Sequence, residues 1–216
     1  MRVSSLATAL AVTLALCPAL AHADRGALSL DLATGVTALS LRPPDASSGD
    51  SAWTVSVSLS AGLRYALSNH LELTLGGFAD LPAHARHPSV RLPTVDSGTF
   101  TGALEYDVSR FGALAGIRWV TGLVVRLWAG AEVGWSHLTR SGLQLRDTTR
   151  PGAPDFGLPL PDLSTDSLVL QPGLGLEWTF ADHWSASLGV RVTALLGPEL
   201  DLGLSAMLGI AYVWFP

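Results

Sequence analysis

The stretch "AWTVSVSLSAGLRYAL" (52–67) alternates without a break. Trp53, Val55, Val57, Leu59, Ala61, Leu63 and Tyr65 share one parity, and Thr54, Ser56, Ser58, Ser60, Gly62 and Arg64 share the other. A period of two belongs to a β-strand, because successive side chains point to opposite faces. The pattern returns in segments 27–39, 70–80, 110–119, 123–135, 167–180, 184–196 and 201–214. Between these eight, the connectors at 68–70, 120–122 and 181–183 are short. Those at 42–51, 81–109 and 139–166 read as long loops, and the brief 197–200 takes a long-loop place. Short and long connectors in turn predict an antiparallel up-and-down meander.

The sense of the two faces decides the surrounding solvent. The polar parity is small as well as polar, with serine, glycine and threonine between single charges, which suits the narrow interior of a closed eight-stranded barrel. The apolar parity carries the aromatics at strand ends. Tyr65, Trp119, Trp178, Phe180, Trp184, Tyr212 and Trp214 fall near the short turns, and Trp53 and Trp135 near the long loops. Two aromatic belts at opposite rims are what a bilayer interface selects. Of the seven tryptophans only Trp128 takes the inward parity. The expected fold is therefore all-β: a transmembrane antiparallel up-and-down eight-stranded β-barrel.

The N-terminus reads as a cleaved signal peptide over residues 1–23: Arg2, the apolar run "LATALAVTLALCPAL", then the small-x-small site Ala21-His22-Ala23. The barrel domain then occupies 24–216. Cys17, the only cysteine, lies inside that leader and follows Leu16 where lipoprotein processing expects a small residue, so neither a lipid anchor nor a disulfide is expected. Beyond Ala23 no apolar run reaches the roughly 18 residues of a spanning helix. The formal net charge of −5 argues against nucleic acid as a partner.

Signal peptide, eight amphipathic strands and the closing "GIAYVWFP" together resemble the small eight-stranded outer-membrane β-barrel superfamily, the OmpA-, OmpX- and OmpW-like domains. The resemblance covers residues 24–216 and rests on architecture. It implies a bacterial outer-membrane location, with long loops extracellular and short turns periplasmic. It also implies a C-terminal strand read by the barrel-assembly machinery, and here Leu208, Ile210, Tyr212 and Trp214 match that spacing. Phe215 and Pro216 follow, on a poorer parity for the signal. Outer-membrane lipids and lipopolysaccharide are the expected surroundings, and the chain is expected to be a monomer.

The inward parity carries Asp31, Glu72, Glu132 and Glu177 against Arg64, Arg110, Arg118, Arg126 and Arg191, with Asp201 as a further candidate. Facing one arginine into lipid at mid-depth costs about 2–4 kcal/mol, which supports the parity. The expectation is a lumen filled by an ion-pair network and a structural or surface-interaction role. The alternative is a narrow channel or transporter for small solutes.

A lipid-A-modifying enzyme is a third reading, and no catalytic residue is assigned. Ser136 and His137 are neighbours, so on a strand they point to opposite faces. His70 and His183 read as solvated turn residues. His84 and His87 lie in the 81–109 loop, where two histidines alone do not make a metal site. No cofactor motif occurs. The 139–166 loop mixes Arg140, Arg146 and Arg150 with Asp147, Asp155, Asp162 and Asp166, near the level of lipopolysaccharide phosphates; Asp45, Asp50, Arg86 and Arg91 read likewise as solvated loop residues.

Overall fold

The computed structural model describes residues 25–43, 48–49, 51–93, 99–122, 124–147, 157–197 and 200–214. The leader read at 1–23 lies outside the described residues, as do Asp45, Asp50, Arg150, Asp155, Phe215 and Pro216. Ten strands follow one another: β1 (Leu28–Leu41), β2 (Ser48–Gly49), β3 (Ala52–Ser68), β4 (Leu71–Pro93), β5 (Thr99–Gly122), β6 (Val125–Asp147), β7 (Gly157–Pro159), β8 (Leu163–Ala181), β9 (Trp184–Leu196) and β10 (Leu200–Trp214).

Eight of them close a ring in the order β1-β3-β4-β5-β6-β8-β9-β10, every neighbour antiparallel. The closing pair is β1 with β10, in register from Leu28 opposite Trp214 to Ser40 opposite Leu202. Closure leaves no sheet edge in the ring. In this lower barrel the strictly alternating parity puts leucine, valine and tryptophan outside, and small polar or charged side chains inside. Leu174, on the outer face of β8, is 64% exposed, whereas Glu177 three residues on is 1% exposed in the lumen.

The structure corrects the two long loops. β4 continues through the expected loop 81–109 to Pro93, and β5 already begins at Thr99; β6 runs on to Asp147, and β8 starts at Leu163. The reason is a set of bulges that reset the parity. In β4 the register slips between Asp80 and Ala83, at Leu81-Pro82, and again between His87 and Val90, at Pro88-Ser89. Proline supplies no ladder donor and is tolerated at such bulges. In β6 the slip falls at Gly142, which has φ +62, the left-handed conformation a glycine-led bulge requires.

Above these bulges β4, β5 and β6 stand as a taller sheet, flanked by β2 on β4 and β7 on β6. Its inner face is apolar: Ala85, Val90, Leu104, Tyr106, Leu143 and Leu145 pack with Leu39, Leu41, Leu138, Val169 and Leu195 into one core. His87 joins this core, bonded at 2.9 Å to the Tyr106 hydroxyl. Its outer face carries His84, Arg86, Glu105, Asp107, Gln144 and Arg146. His84, His87, Arg86, Arg91, Arg140 and Arg146 thus lie on strands rather than loops.

Candidate functional site

The lumen is built in layers, and cross-strand register sets each one. Near the short turns Glu72 lies directly opposite Arg118, and Arg126 directly opposite Glu177. Opposite charges in such positions attract across the strand pair. Arg64 joins them from β3, donating to Glu177 at 2.7 Å and to Asp31 through Nε. Arg118 Nη2 donates to Glu177 at 2.6 Å and its Nε to Glu72. Arg126 Nη2 reaches Glu72 at 2.7 Å, and the Ser185 hydroxyl donates to Glu177 at 3.1 Å. Three guanidiniums and three carboxylates are therefore interlocked in one network. Each carboxylate oxygen of Glu177 has a donor, the condition under which a buried ion pair is tolerated.

Above this layer lies Trp128, the one inward tryptophan. Its ring fits because Gly175 and Gly189 are opposite each other: a Cβ on either would approach the indole to 2.8 and 2.5 Å respectively. Arg118 and Arg191 approach its ring at 5.7 and 6.0 Å from the centroid, and Arg191 pairs with Glu132 at 3.4 Å. Beside Trp128 is a chamber of about 100 Å³, bordered across the lumen by Ala33, Ser60, Gly62, Gly76 and Gly209. Arg64, Thr74 and Trp128 belong to its lining, and Arg64 Nη2, Thr74 Oγ1 and Trp128 Nε1 have no hydrogen-bond partner among the described residues.

The next layer couples Asp80 to Arg110, directly opposite in the β4–β5 ladder and 2.7 Å apart. The Arg110 guanidinium lies over the Phe78 ring at 4.7 Å. Ser58 donates to Asp80, Thr37 bonds Ser58 at 2.6 Å and Ser205 at 2.9 Å, and Gln171 donates to Thr193 at 2.8 Å. Higher still, Arg140 stands 3.7 Å from Asp201, and the Arg42 amide donates to the same carboxylate at 3.1 Å. Then the apolar core closes the lumen.

All nine lumen residues expected from the sequence point inward: Asp31, Arg64, Glu72, Arg110, Arg118, Arg126, Glu132, Glu177 and Arg191. The sequence reading missed Asp80, the last residue of its segment 70–80, and Arg140, which it placed in the 139–166 loop and which lies on β6. With Asp201 they bring the described lumen to Asp31, Glu72, Asp80, Glu132, Glu177 and Asp201 against Arg64, Arg110, Arg118, Arg126, Arg140 and Arg191. The signs cancel.

The outward aromatics form two belts. At the short-turn rim Tyr65, Trp119, Trp178, Phe180, Trp184 and Trp214 are exposed, and Tyr212 is edge-on to Trp184 at 5.0 Å and to Trp214 at 4.8 Å. At the other rim stand Trp53 and Trp135. Trp135 packs with Phe111 and His137, and both its indole N–H and His137 Nδ1 engage Asp166, at 3.1 and 2.9 Å. Leu208 and Ile210 of the expected insertion signal share the outward face of β10 with Trp214.

Ser136 is fully buried while His137 points outward to Asp166, so the neighbouring pair is split as its parity requires. Two His-x-Ser spacings also occur, at His87–Ser89 and His183–Ser185. In the first the β4 bulge intervenes, leaving His87 buried and Ser89 exposed. In the second His183 sits in a turn while Ser185 serves Glu177 inside. Among the described residues no group of three His, Cys, Asp or Glu is placed to hold a metal ion.

No protein-family model matches the chain, and no curated protein sequence matches it. Solved structures do. The attachment invasion locus protein Ail of Yersinia pestis superposes with a TM-score of 0.50 at 15% identity, covering 88% of this chain and 99% of Ail. Neisserial surface protein A matches with a TM-score of 0.50 at 13% identity over 87% of this chain and 98% of its own. The outer membrane protein OprG of Pseudomonas aeruginosa does so with 0.50 at 12% identity, over 89% and 98%. The chain has the fold of these small outer-membrane β-barrels.

Proposed function

We propose that this chain is a monomeric outer-membrane barrel whose lumen is sealed and whose working surface is the tall sheet β4-β5-β6 with its loops. The short turns face the periplasm and the tall sheet faces outward. The observation that carries the reading is the double closure of the lumen. The layer of Asp31, Arg64, Glu72, Arg118, Arg126 and Glu177 fills it below, and the apolar core around Leu104, Tyr106 and Leu145 fills it above. An eight-stranded ring has just enough interior for side chains, and here they are locked to one another. A role at the cell surface uses the outer face and leaves the interior as scaffold.

On this reading the partners are lipid and lipopolysaccharide around the belts, and the barrel-assembly machinery acting on Leu208, Ile210, Tyr212 and Trp214. Planar-bilayer recording tests it. The natural chain is expected to show no steady conductance. Discrete openings that vanish in Glu132→Gln or Arg191→Gln would establish the channel reading instead. An altered lipid A mass profile on expression would establish the enzymatic one.

A further inference from the structure

Three strands of the ring bring hydrogen-bond donors to the chamber beside Trp128. Arg64 of β3, Thr74 of β4 and Trp128 of β6 all border it. Arg64 Nη2, Thr74 Oγ1 and Trp128 Nε1 find no acceptor among the described residues. Arg64 is 5% exposed and Trp128 9%, so bulk solvent serves neither. A buried donor left unsatisfied carries its full desolvation cost, and the cost is larger for a charged one. Neither side chain can turn to another partner without giving up contacts it already makes. Arg64 donates through Nε to Asp31 and through Nη1 to Glu177, and the indole is wedged against Gly175 and Gly189.

The chemistry of these donors narrows what suits the chamber. A guanidinium and an indole N–H donate and never accept. A water between them accepts from both and must still place its own two protons. A small anion accepts from every side and has no proton to place. The lumen as a whole is neutral, yet the chamber is lined by Arg64, Arg118 and Arg191 against only Asp31 and Glu132. Arg118 and Arg191 lie 5.7 and 6.0 Å from the Trp128 ring centroid, so the positive side of the lining gathers at the indole. Glu132 Oε2, which accepts no hydrogen bond, has Arg191 at 3.4 Å as its counterion. A volume of about 100 Å³ has room for a few water-sized species.

We propose that the chamber is a binding site for a small monovalent anion of the halide class. Arg64 Nη2, Thr74 Oγ1 and Trp128 Nε1 hold the ion, which ties β3, β4 and β6 together above the charge layer. Its role is structural and rests on the sealed lumen of the proposed function. Planar-bilayer recording tests that seal separately, because it reads conductance and not binding.

Indole ¹⁵N spectra of the natural chain in detergent test the site, with Trp128 identified by the signal lost in Trp128→Phe. Potassium bromide replaces potassium gluconate, a bulky anion, at constant ionic strength. The chain is refolded in each mixture, so that entry into the lumen is not limiting. The Trp128 signal is expected to shift and saturate, while the other six of the seven tryptophans show no saturation. Thr74→Val keeps the side-chain shape, loses the donor and should weaken bromide binding about tenfold. A Trp128 signal indifferent to bromide, as for a chamber that holds water alone, would overturn the proposal. So would an unchanged affinity in Thr74→Val, or a saturating shift shared by the rim indoles. Should either variant fail to fold, anomalous scattering from crystals of the natural chain grown in bromide decides. A bromide peak bordered by Arg64, Thr74 and Trp128 supports the site; water in its place contradicts it.

Discussion

Along the single strand β5 the chain is built in two opposite senses. Between Arg110 and Gly122 its charges, Arg110 and Arg118, point inward, while Phe111, Ile117 and Trp119 point out. Between Gly102 and Val108 its leucine, tyrosine and valine point inward, while Glu105 and Asp107 point out. β4 and β6 do the same. The difference teaches what surrounds each half. In the lower half the outside is hydrocarbon, where a charge is expensive and the inside is the only refuge for one. In the upper half the outside is water, and the ordinary gain of about 25 cal/mol per Å² of buried apolar surface drives side chains inward. The Asp80–Arg110 pair marks the boundary from inside, and the Trp53 and Trp135 belt marks it from outside.

The strongest way to break the lower half is to remove one member of its charge layer. Glu177→Ala leaves Arg64, Arg118 and Arg126 short of a partner and should cost about 3–5 kcal/mol in denaturant unfolding, with the upper sheet's exchange protection reduced only through global unfolding. The matching cut in the upper half is Leu104→Ala, expected to cost about 2–5 kcal/mol through the cavity it leaves. Here amide exchange should rise first between Thr99 and Val108, ahead of Arg110–Gly122.

A charge placed outward sharpens the contrast. Leu174→Arg faces lipid and should cost about 2–4 kcal/mol, lowering the inserted fraction on gels. Gln144→Arg, outward on the tall sheet, should stay within about 0.5 kcal/mol of the natural chain. A purely backbone effect is expected at the bulge between the halves. Gly142 has φ +62, and an added Cβ would meet nothing within 4 Å, so Gly142→Ala carries only the backbone penalty of about 1–2 kcal/mol.

This comparison also explains what could be read from the residues alone. Period-two alternation exposes the lower barrel fully, because one solvent acts on each face for the whole span of a strand. The upper sheet is hidden. Pro82, Pro88 and Gly142 each shift the parity by a residue, and the preference for apolar-out reverses at the same place, so residues 81–109 look patternless. Asp80 and Arg140 were lost for the same reason, lying at the point of reversal. His70 and His183 lie exposed in turns, as their sequence context reads, and their stacking on Trp119 and Tyr212 follows only from the β4–β5 and β9–β10 registers.

Cysteine labelling along β5 measures the reversal directly, since Cys17 is the chain's only cysteine and can be replaced by serine. Asp107→Cys and Glu105→Cys should react with a membrane-impermeant maleimide in lipid vesicles. Ala115→Cys and Ile117→Cys, on the same outward face, should react only with a lipid-soluble one. Water-side labelling of Ala115→Cys and Ile117→Cys at the rate of Asp107→Cys would contradict the account.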